Sequence, residues 1–205
     1  MTGKILVNPV SSYSGIKLLL MLFRQLDLYN KAIEVAEEAL RNHPDERYLK
    51  RCAALTYKWK IIFSRDSQPN QRMIDKAVSL YEELISLYPH FSVFWETDLA
   101  IIHTKSSEGL LRANRIYQEL LERDLEDEER QMLYNLYAKY LYFHRKEREK
   151  STRYHMKAAQ IRQRSSYRHN SIKELKKIAE QSRNRMCREV QEFLENLQLQ
   201  VHMST

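Results

Sequence analysis

The residues of this 205-residue chain that are best suited to chemistry are its cations, which are unevenly distributed. Residues 145–188 carry 15 Lys or Arg against 4 Asp or Glu, whereas the rest of the chain carries 19 basic and 23 acidic residues. Lysine and arginine neutralise phosphates and release counterions, so the asymmetry favours a polyanionic ligand. A solvated helical face with i,i+4 ion pairs would give the same pattern, and charge alone does not distinguish the two.

Catalytic and metal-binding patterns are missing from the sequence. The seven histidines form no H-x-x-x-H pair, and there is no C-x-x-C, G-x-x-x-x-G-K-[ST] or G-x-S-x-G motif. Cys52 and Cys187 are too few and too far apart for a zinc knuckle or a disulfide framework. Cys52, beside Arg51, could be a low-pKa thiol, but we favour a small core residue, and we expect His155 in the core or at its rim. We therefore predict a protein that is not an enzyme and has no metal and no cofactor.

Composition narrows the fold class. The chain is 43% apolar and 30% charged, with only 3 Gly and 4 Pro, and turn-rich β folds need more of both residues. The longest apolar run, Leu18–Phe23, is far shorter than the roughly 20 residues of a membrane helix, and the N-terminal residues show no signal-peptide pattern. We expect a reduced, soluble, cytoplasmic protein made of long helices and short loops, with no membrane partner.

A recurring spacing of small and large residues indicates stacked helix pairs. It is seen at Ala32, Ala36, Ala39 and Pro44, then at Ala77, Tyr81, Leu84 and Pro89, and again at Ala113, Tyr117 and Leu120. Small residues let two antiparallel helices approach closely, and proline ends the second helix. This is the tetratricopeptide pattern. We predict an all-α, tetratricopeptide-like α-solenoid with about four helix pairs and a C-terminal capping helix or hairpin.

The same spacing sets the expected organisation of the chain. The repeat array covers residues 1–165, and residues 166–205 form a basic helical cap with a frayed end from Gln198. Within the array the repeats fall at about 12–46, 47–91 with a polar insertion at 61–72, 92–126 and 130–165. Residues 171–199 keep a helical period and form either one long helix or a hairpin near Asn184. We interpret the tyrosines of the fourth pair as core between repeats, in preference to a platform for stacking bases.

Three segments give the chain a more specific resemblance. They are Tyr137–Lys146 (YAKYLYFHRK), Ser166–Lys173 (SYRHNSIK) and the end of the insertion, Asn70–Ala77 (NQRMIDKA). Together they resemble the interferon-induced proteins with tetratricopeptide repeats, the IFIT family. The similarity runs from about Pro9 to Ala179 and matches the C-terminal half of a full-length member, with Ala138 where the family prefers glycine.

The resemblance implies a function and a site. Family members bind RNA in the cationic groove of the superhelix, some of them selecting 5′-triphosphate ends, and they act in antiviral innate immunity and associate with one another. We therefore expect RNA, including viral or 5′-triphosphate RNA, and other IFIT-type proteins as partners in homo- or hetero-oligomers. The half that supplies much of the 5′-end pocket has no counterpart here, so we expect weaker, salt-sensitive binding with poor 5′-end selectivity.

The candidate RNA-binding residues are cations on the inner, first helices of the repeats and in the C-terminal segment. They are Lys17, Arg24, Lys50, Arg51, Lys58, Arg162, Arg164, Arg168, Lys173, Lys176 and Lys177. The first 60 residues fit the family in two registers one repeat apart. Arg51 falls on the inner face in both registers, whereas Lys17 and Arg24 depend on one of them.

The alternative is a tetratricopeptide scaffold that pairs with full-length family members and does not bind RNA directly. Apolar faces around Leu18–Phe23 and Val190–Leu197 would favour dimerisation. A narrower variant is a clamp for a C-terminal carboxylate built on Asn135 and Lys139.

Overall fold

The computed structural model describes residues 9–63 and 71–202, with side chains described for residues 14–63 and 71–199. These residues form ten α-helices and no strand, as the composition predicts. The helices are α1 (Pro9–Gln25), α2 (Tyr29–Asn42), α3 (Arg47–Phe63), α4 (Gln71–Leu87), α5 (Ser92–His103), α6 (Gly109–Leu121), α7 (Asp127–Tyr140), α8 (Arg148–Gln160), α9 (Ser166–Ala179) and α10 (Cys187–His202). The chain divides into two compact units, Met1–Asn114 and Arg115–Thr205. No helix in the described ranges is both long and apolar enough to cross a membrane.

The repeated small and large positions are the buried positions of the second helices. Ala32, Ala77 and Ala113 are almost completely buried, and so are Tyr81 and Tyr117, which fill the larger positions. The sequence prediction of this packing is confirmed. Pro44 and Pro89 lie two residues after the last residues of α2 and α4, because proline cannot continue a helix from its interior.

In the first unit, consecutive helices pack as antiparallel neighbours, and the first helices also contact one another, α1 against α3 and α3 against α5. Ala53 and Ala54 of α3 and Ala100 of α5 are fully buried, so this layer is also built on small residues. The predicted insertion at 61–72 is partly helical, since α3 extends to Phe63 and α4 begins at Gln71. Residues 64–70 of the insertion lie outside the described residues.

In the second unit a buried polar network joins α7 to the segment between α8 and α9. The Gln131 side-chain amide donates to three backbone carbonyls, those of Ala158 (3.2 Å), Ile161 (2.8 Å) and Gln163 (3.0 Å), and its oxygen accepts from the Ser165 hydroxyl at 2.6 Å. Ser165 also caps α9 by accepting the Arg168 backbone N–H at 3.0 Å. Because buried polar groups need partners, this network fixes where α9 docks.

One turn along α7, the Asn135 amide donates to the Tyr167 carbonyl (3.1 Å) and the Ser171 hydroxyl (2.8 Å), and Ser171 lies 3.0 Å from Nδ1 of His155. Asn135 is completely buried. The proposed carboxylate clamp is therefore wrong, because this side chain faces α9 and cannot reach a bound peptide. His155 lies in the core, as the sequence indicates.

The C-terminal segment is a hairpin of α9 and α10, and not a single helix. Val190 is fully buried with Leu175, and Phe193, Leu194 and Leu197 pack against the same cluster. The prediction of a free apolar face at Val190–Leu197 is therefore wrong, because the chain covers this face itself. The expected fraying from Gln198 is also not observed up to His202, where α10 ends; residues 203–205 lie outside the described residues.

Gly109, at the start of α6, has no room for a side chain. A Cβ at this position would lie 2.1 Å from the backbone oxygen of His103, an atom that can move only with its helix, whereas a Cβ at Gly15 would meet nothing within 4 Å. We expect Gly109→Ala to lower the free energy of unfolding by about 1–3 kcal/mol, as overpacking does. The matched control Gly15→Ala should leave it unchanged or raise it by up to about 1 kcal/mol, since alanine favours the helix. Urea unfolding measures both, and equal stabilities of the two variants would contradict the packing described.

Burial lowers the pKa of His155 to about 4, although Glu174 raises it and Lys139 lowers it further. The unfolded chain binds a proton here below about pH 6.5, so stability should fall as the pH decreases from about 6.5 to about 4. The loss is up to about 3 kcal/mol at about 1.4 kcal/mol per pH unit. Urea unfolding of wild type and His155→Gln at both ends of this range isolates the effect, because the variant lacks the titrating group. An identical pH dependence of the two proteins would refute it.

Candidate nucleic-acid interface

A cavity of about 200 Å³ opens between α1, α2 and α3 of the first unit. Three of the predicted cations, Lys17 and Arg24 from α1 and Arg51 from α3, line it together. Lys17 and Arg51 are exposed, and Arg24 is partly buried. Because α1 and α3 pack side by side, residues 34 positions apart in sequence become neighbours, and the positive charge is concentrated at one place.

Both arginines of this set are held over aromatic rings. The guanidinium carbon of Arg24 lies 4.2 Å from the centre of the Trp59 ring, and Trp59 in turn stacks on Phe63 at 4.7 Å. The guanidinium carbon of Arg51 lies 5.5 Å from the centre of the Trp95 ring. Cation–π contacts of this kind contribute about 0.5–1 kcal/mol at exposed sites and leave the N–H donors at the guanidinium edge available to an anion.

Cys52 lies in the cavity wall beside Tyr48. Burial raises the pKa of its thiol, and this effect outweighs the Tyr48 hydrogen bond and the charges of Arg51 and Lys17, which lower it. The alternative of a reactive, low-pKa thiol is therefore wrong. Cys52 is partly buried, close to the small core residue that we favoured.

Lys50 and Lys58 are not part of the cavity lining, and both form ion pairs. Lys50 Nζ lies 3.1 Å from a carboxylate oxygen of Glu83, and Lys58 binds Asp98. Asp98 also accepts a hydrogen bond from the buried Tyr81 hydroxyl at 3.1 Å. Glu83 and Asp98 neutralise the positive charges of these two lysines. Lys50 and Lys58 are therefore weaker candidates for phosphate contact than the three cations that line the cavity.

The remaining candidates belong to the second unit. Arg162 and Arg164 are exposed in the segment between α8 and α9, and Lys173 and Lys176 are exposed on α9. The Arg168 side chain donates from Nε to the Ala159 carbonyl at 3.0 Å, and Lys177 pairs with Glu174 at 2.7 Å. These residues form a basic surface on α9 and the segment before it. We call it the α9 surface.

Sequence reasoning did not select the aromatic part of the cavity wall. Tyr48, Cys52, Leu55 and Trp59 follow one another at helical spacing on the face of α3 that also carries Arg51. This periodicity was available in the sequence, and it marks the face that meets α1. Tyr137 and Tyr140 of α7 are buried in the core, as predicted, but Tyr142, in the π-helical turn after α7, is exposed. The prediction of a core position is therefore wrong for Tyr142.

Comparison with known proteins places this geometry in context. No protein-family model matches the chain. The antiviral innate immune response effector IFIT1 of Macaca fascicularis is 28% identical over 167 residues, which are 76% of this chain and 34% of the relative. The structure of a human IFIT1 dimer with m7Gppp-AAAA superposes with a TM-score of 0.70 at 22% identity, over 95% of this chain and 48% of that one. In sequence and in fold, the chain is therefore similar to IFIT1.

A second solved structure, the human IFIT1 dimer with PPP-AAAA, matches with a TM-score of 0.68 at 23% identity, over 88% of the IFIT-like chain and 43% of that one. The tetratricopeptide-like solenoid fold predicted from the repeats is thereby confirmed. The IFIT-like chain spans half or less of the length of these relatives.

The two lysine pairs should differ in what they contribute to stability. Asp98 is 16% exposed and supports both Lys58 and Tyr81, whereas Glu83 is 49% exposed and supports Lys50 alone. We expect Asp98→Asn to lower the free energy of unfolding by about 1–3 kcal/mol, because two charge-assisted contacts weaken. The control Glu83→Gln should change it by less than about 1 kcal/mol, as is usual for surface pairs. Urea unfolding at neutral pH makes the comparison, and a larger loss for Glu83→Gln would be inconsistent with these contacts.

Proposed function

We propose that this IFIT-like chain binds RNA through the cavity face of its first unit, with Lys17, Arg24 and Arg51 holding backbone phosphates. One observation supports this above the others: three cations from two helices converge on one cavity, and two of them are oriented by Trp59 and Trp95. The fold is that of IFIT1, which has been solved with capped and with triphosphate RNA.

The mode of binding follows from the residue types. Arginine and lysine contact phosphates whatever the base sequence, so this face would recognise RNA by its backbone and its shape. Three neutralised phosphates release about two counterions from a single strand, which gives a slope of roughly −2 for log K against log salt concentration. We propose that the α9 surface adds further contacts of lower affinity, since Arg168 and Lys177 are already partnered within the chain.

The biological setting proposed for the chain is that of its relatives. The macaque relative is named as an antiviral innate immune effector. We extend to this chain the role of a cytoplasmic, interferon-induced, non-enzymatic RNA-binding protein of antiviral defence. Preference of this face for 5′-triphosphate over 5′-hydroxyl RNA should be weak, because lysine and arginine contact internal backbone phosphates as well as terminal ones.

A second candidate function is association with IFIT-type proteins, including a second copy of the chain, without direct RNA contact. It is favoured by Leu18 and Leu22 of α1 and by Leu26, the first residue after this helix, which follow one another at a spacing of four residues and are 66%, 49% and 57% exposed. The IFIT1 structures with capped and triphosphate RNA are themselves dimers. A strictly monomeric protein at high concentration in light scattering would count against self-association.

Charge reversal distinguishes the two functions. We expect Arg51→Glu to weaken the binding of single-stranded RNA at least about 10-fold at low salt, because an attractive phosphate contact becomes repulsive. The matched control Lys31→Glu makes the same charge change on an exposed position of α2 and should have an effect of less than about 2-fold. Fluorescence anisotropy with labelled 5′-triphosphate and 5′-hydroxyl RNA, from about 50 to about 300 mM salt, measures both variants and the salt slope.

The double variant Arg168→Glu with Lys173→Glu tests the α9 surface in the same assay. Loss of binding with this variant alone, equal for both RNAs, would place the ligand on the α9 surface and contradict the proposed site. Absence of RNA binding even at low salt would favour the association function.

A further inference from the structure

The cavity between α1, α2 and α3 has features that phosphate contacts do not explain. Besides its three cations, the cavity has an aromatic and aliphatic wall, built from Tyr29, Tyr48, Trp59, Leu20, Met21 and Leu55. A site for phosphates alone needs donors and positive charge and gains nothing from such a wall. A concave apolar surface with a few polar groups at its edge is the usual form of a site for a small organic ligand.

The size of the cavity restricts the ligand. Its volume of about 200 Å³ is below the roughly 300 Å³ at which pockets begin to take drug-sized molecules. A single planar ring system is of the right size, and the charge of Lys17, Arg24 and Arg51 calls for an anionic group attached to it. A nucleotide combines both properties, with a flat apolar base and a phosphate.

We propose that this cavity holds one unstacked nucleotide of the bound RNA. Its base lies against Tyr48, Leu55 and the guanidinium of Arg24, and its phosphate is held by Lys17 and Arg51. Arg24 contributes a planar guanidinium over Trp59, a surface on which bases stack. The assignment of the ligand as a nucleotide rests on the proposed RNA function.

The polar groups of the wall predict little sequence preference. The Thr56 hydroxyl donates to the Cys52 carbonyl at 2.7 Å, and the Tyr48 hydroxyl and the Cys52 thiol are hydrogen-bonded to each other. These groups already have partners, so few remain to read the edge of a base. The site should select a nucleotide by its ring and its charge and should accept purines and pyrimidines alike.

Isothermal titration calorimetry with adenosine 5′-monophosphate, uridine 5′-monophosphate, ribose 5-phosphate and adenosine tests the proposal on the full chain. The two mononucleotides should bind within about 10-fold of each other. They should bind at least about 10-fold more tightly than ribose 5-phosphate, which lacks the stacking surface, and than adenosine, which lacks the phosphate. Equal affinity of ribose 5-phosphate and the nucleotides, equal affinity of adenosine and the nucleotides, or no binding of any of the four would each overturn it.

The two cysteines provide a matched pair of variants. Cys52→Leu adds volume inside the cavity and should weaken nucleotide binding at least about 5-fold, whereas Cys187→Leu, on α10 of the second unit, should leave it unchanged. Thermal unfolding shows whether both variants are folded. If Cys52→Leu is not folded, Trp59→Leu, which removes the largest ring of the cavity wall, supplies a second test. Nucleotide binding that is unaffected by filling the cavity would refute the site.

Comparison with the RNA assay distinguishes the failure of this inference from the failure of the proposed function. If RNA binding depends on Arg51 but no mononucleotide binding is measurable, the nucleotide pocket is refuted and the phosphate site is supported. If the protein binds mononucleotides in a manner sensitive to Cys52→Leu but does not bind RNA at low salt, the pocket is supported and the RNA function is refuted.

Discussion

The close approach of antiparallel helices at small residues is the constraint on which the other features of this molecule depend. Ala32, Ala77 and Ala113 on second helices and Ala53 and Ala100 on first helices are essentially inaccessible to solvent. A helix pair of this kind has more apolar surface than it can bury alone, so each pair must be covered by its neighbour. In the C-terminal hairpin, α10 covers the apolar face of α9 through Val190.

This packing determines which cations are available. It brings α1 against α3, so that Lys17, Arg24 and Arg51 meet at one cavity, and it brings α3 against α4 and α5, whose carboxylates pair with Lys50 and Lys58. The helix contacts that build the fold therefore divide five cations of the first helices into two groups. Three of them face the cavity, and the other two are neutralised by carboxylates. In the second unit, the network of Gln131, Asn135 and Ser171 positions α9 and thereby its exposed lysines.

Much of the fold could be predicted from the sequence, because tetratricopeptide packing depends on local residue size at fixed spacing. The site could be predicted only in part. Glu83 and Asp98 lie more than 30 residues from the lysines whose charge they neutralise, and no local sequence pattern predicts such an ion pair. Asn135 looked like a groove residue because sequence gives the face of a helix only approximately, and in the structure it is buried against α9. The apolar residues of α10 looked unpartnered because the spacing within α10 does not show that α8 and α9 supply their partners.

The proposed function requires that RNA lie on the α1 and α3 face of the first unit. Photocrosslinking of 4-thiouridine-substituted RNA to the full chain, followed by mass-spectrometric mapping, tests it most directly. We expect crosslinks on Tyr48, Trp59 and their neighbours in α1 and α3, and we expect these crosslinks to be lost in Arg51→Glu at unchanged total protein and RNA. Crosslinks confined to α9 and the segment between α8 and α9, insensitive to Arg51→Glu, would contradict it.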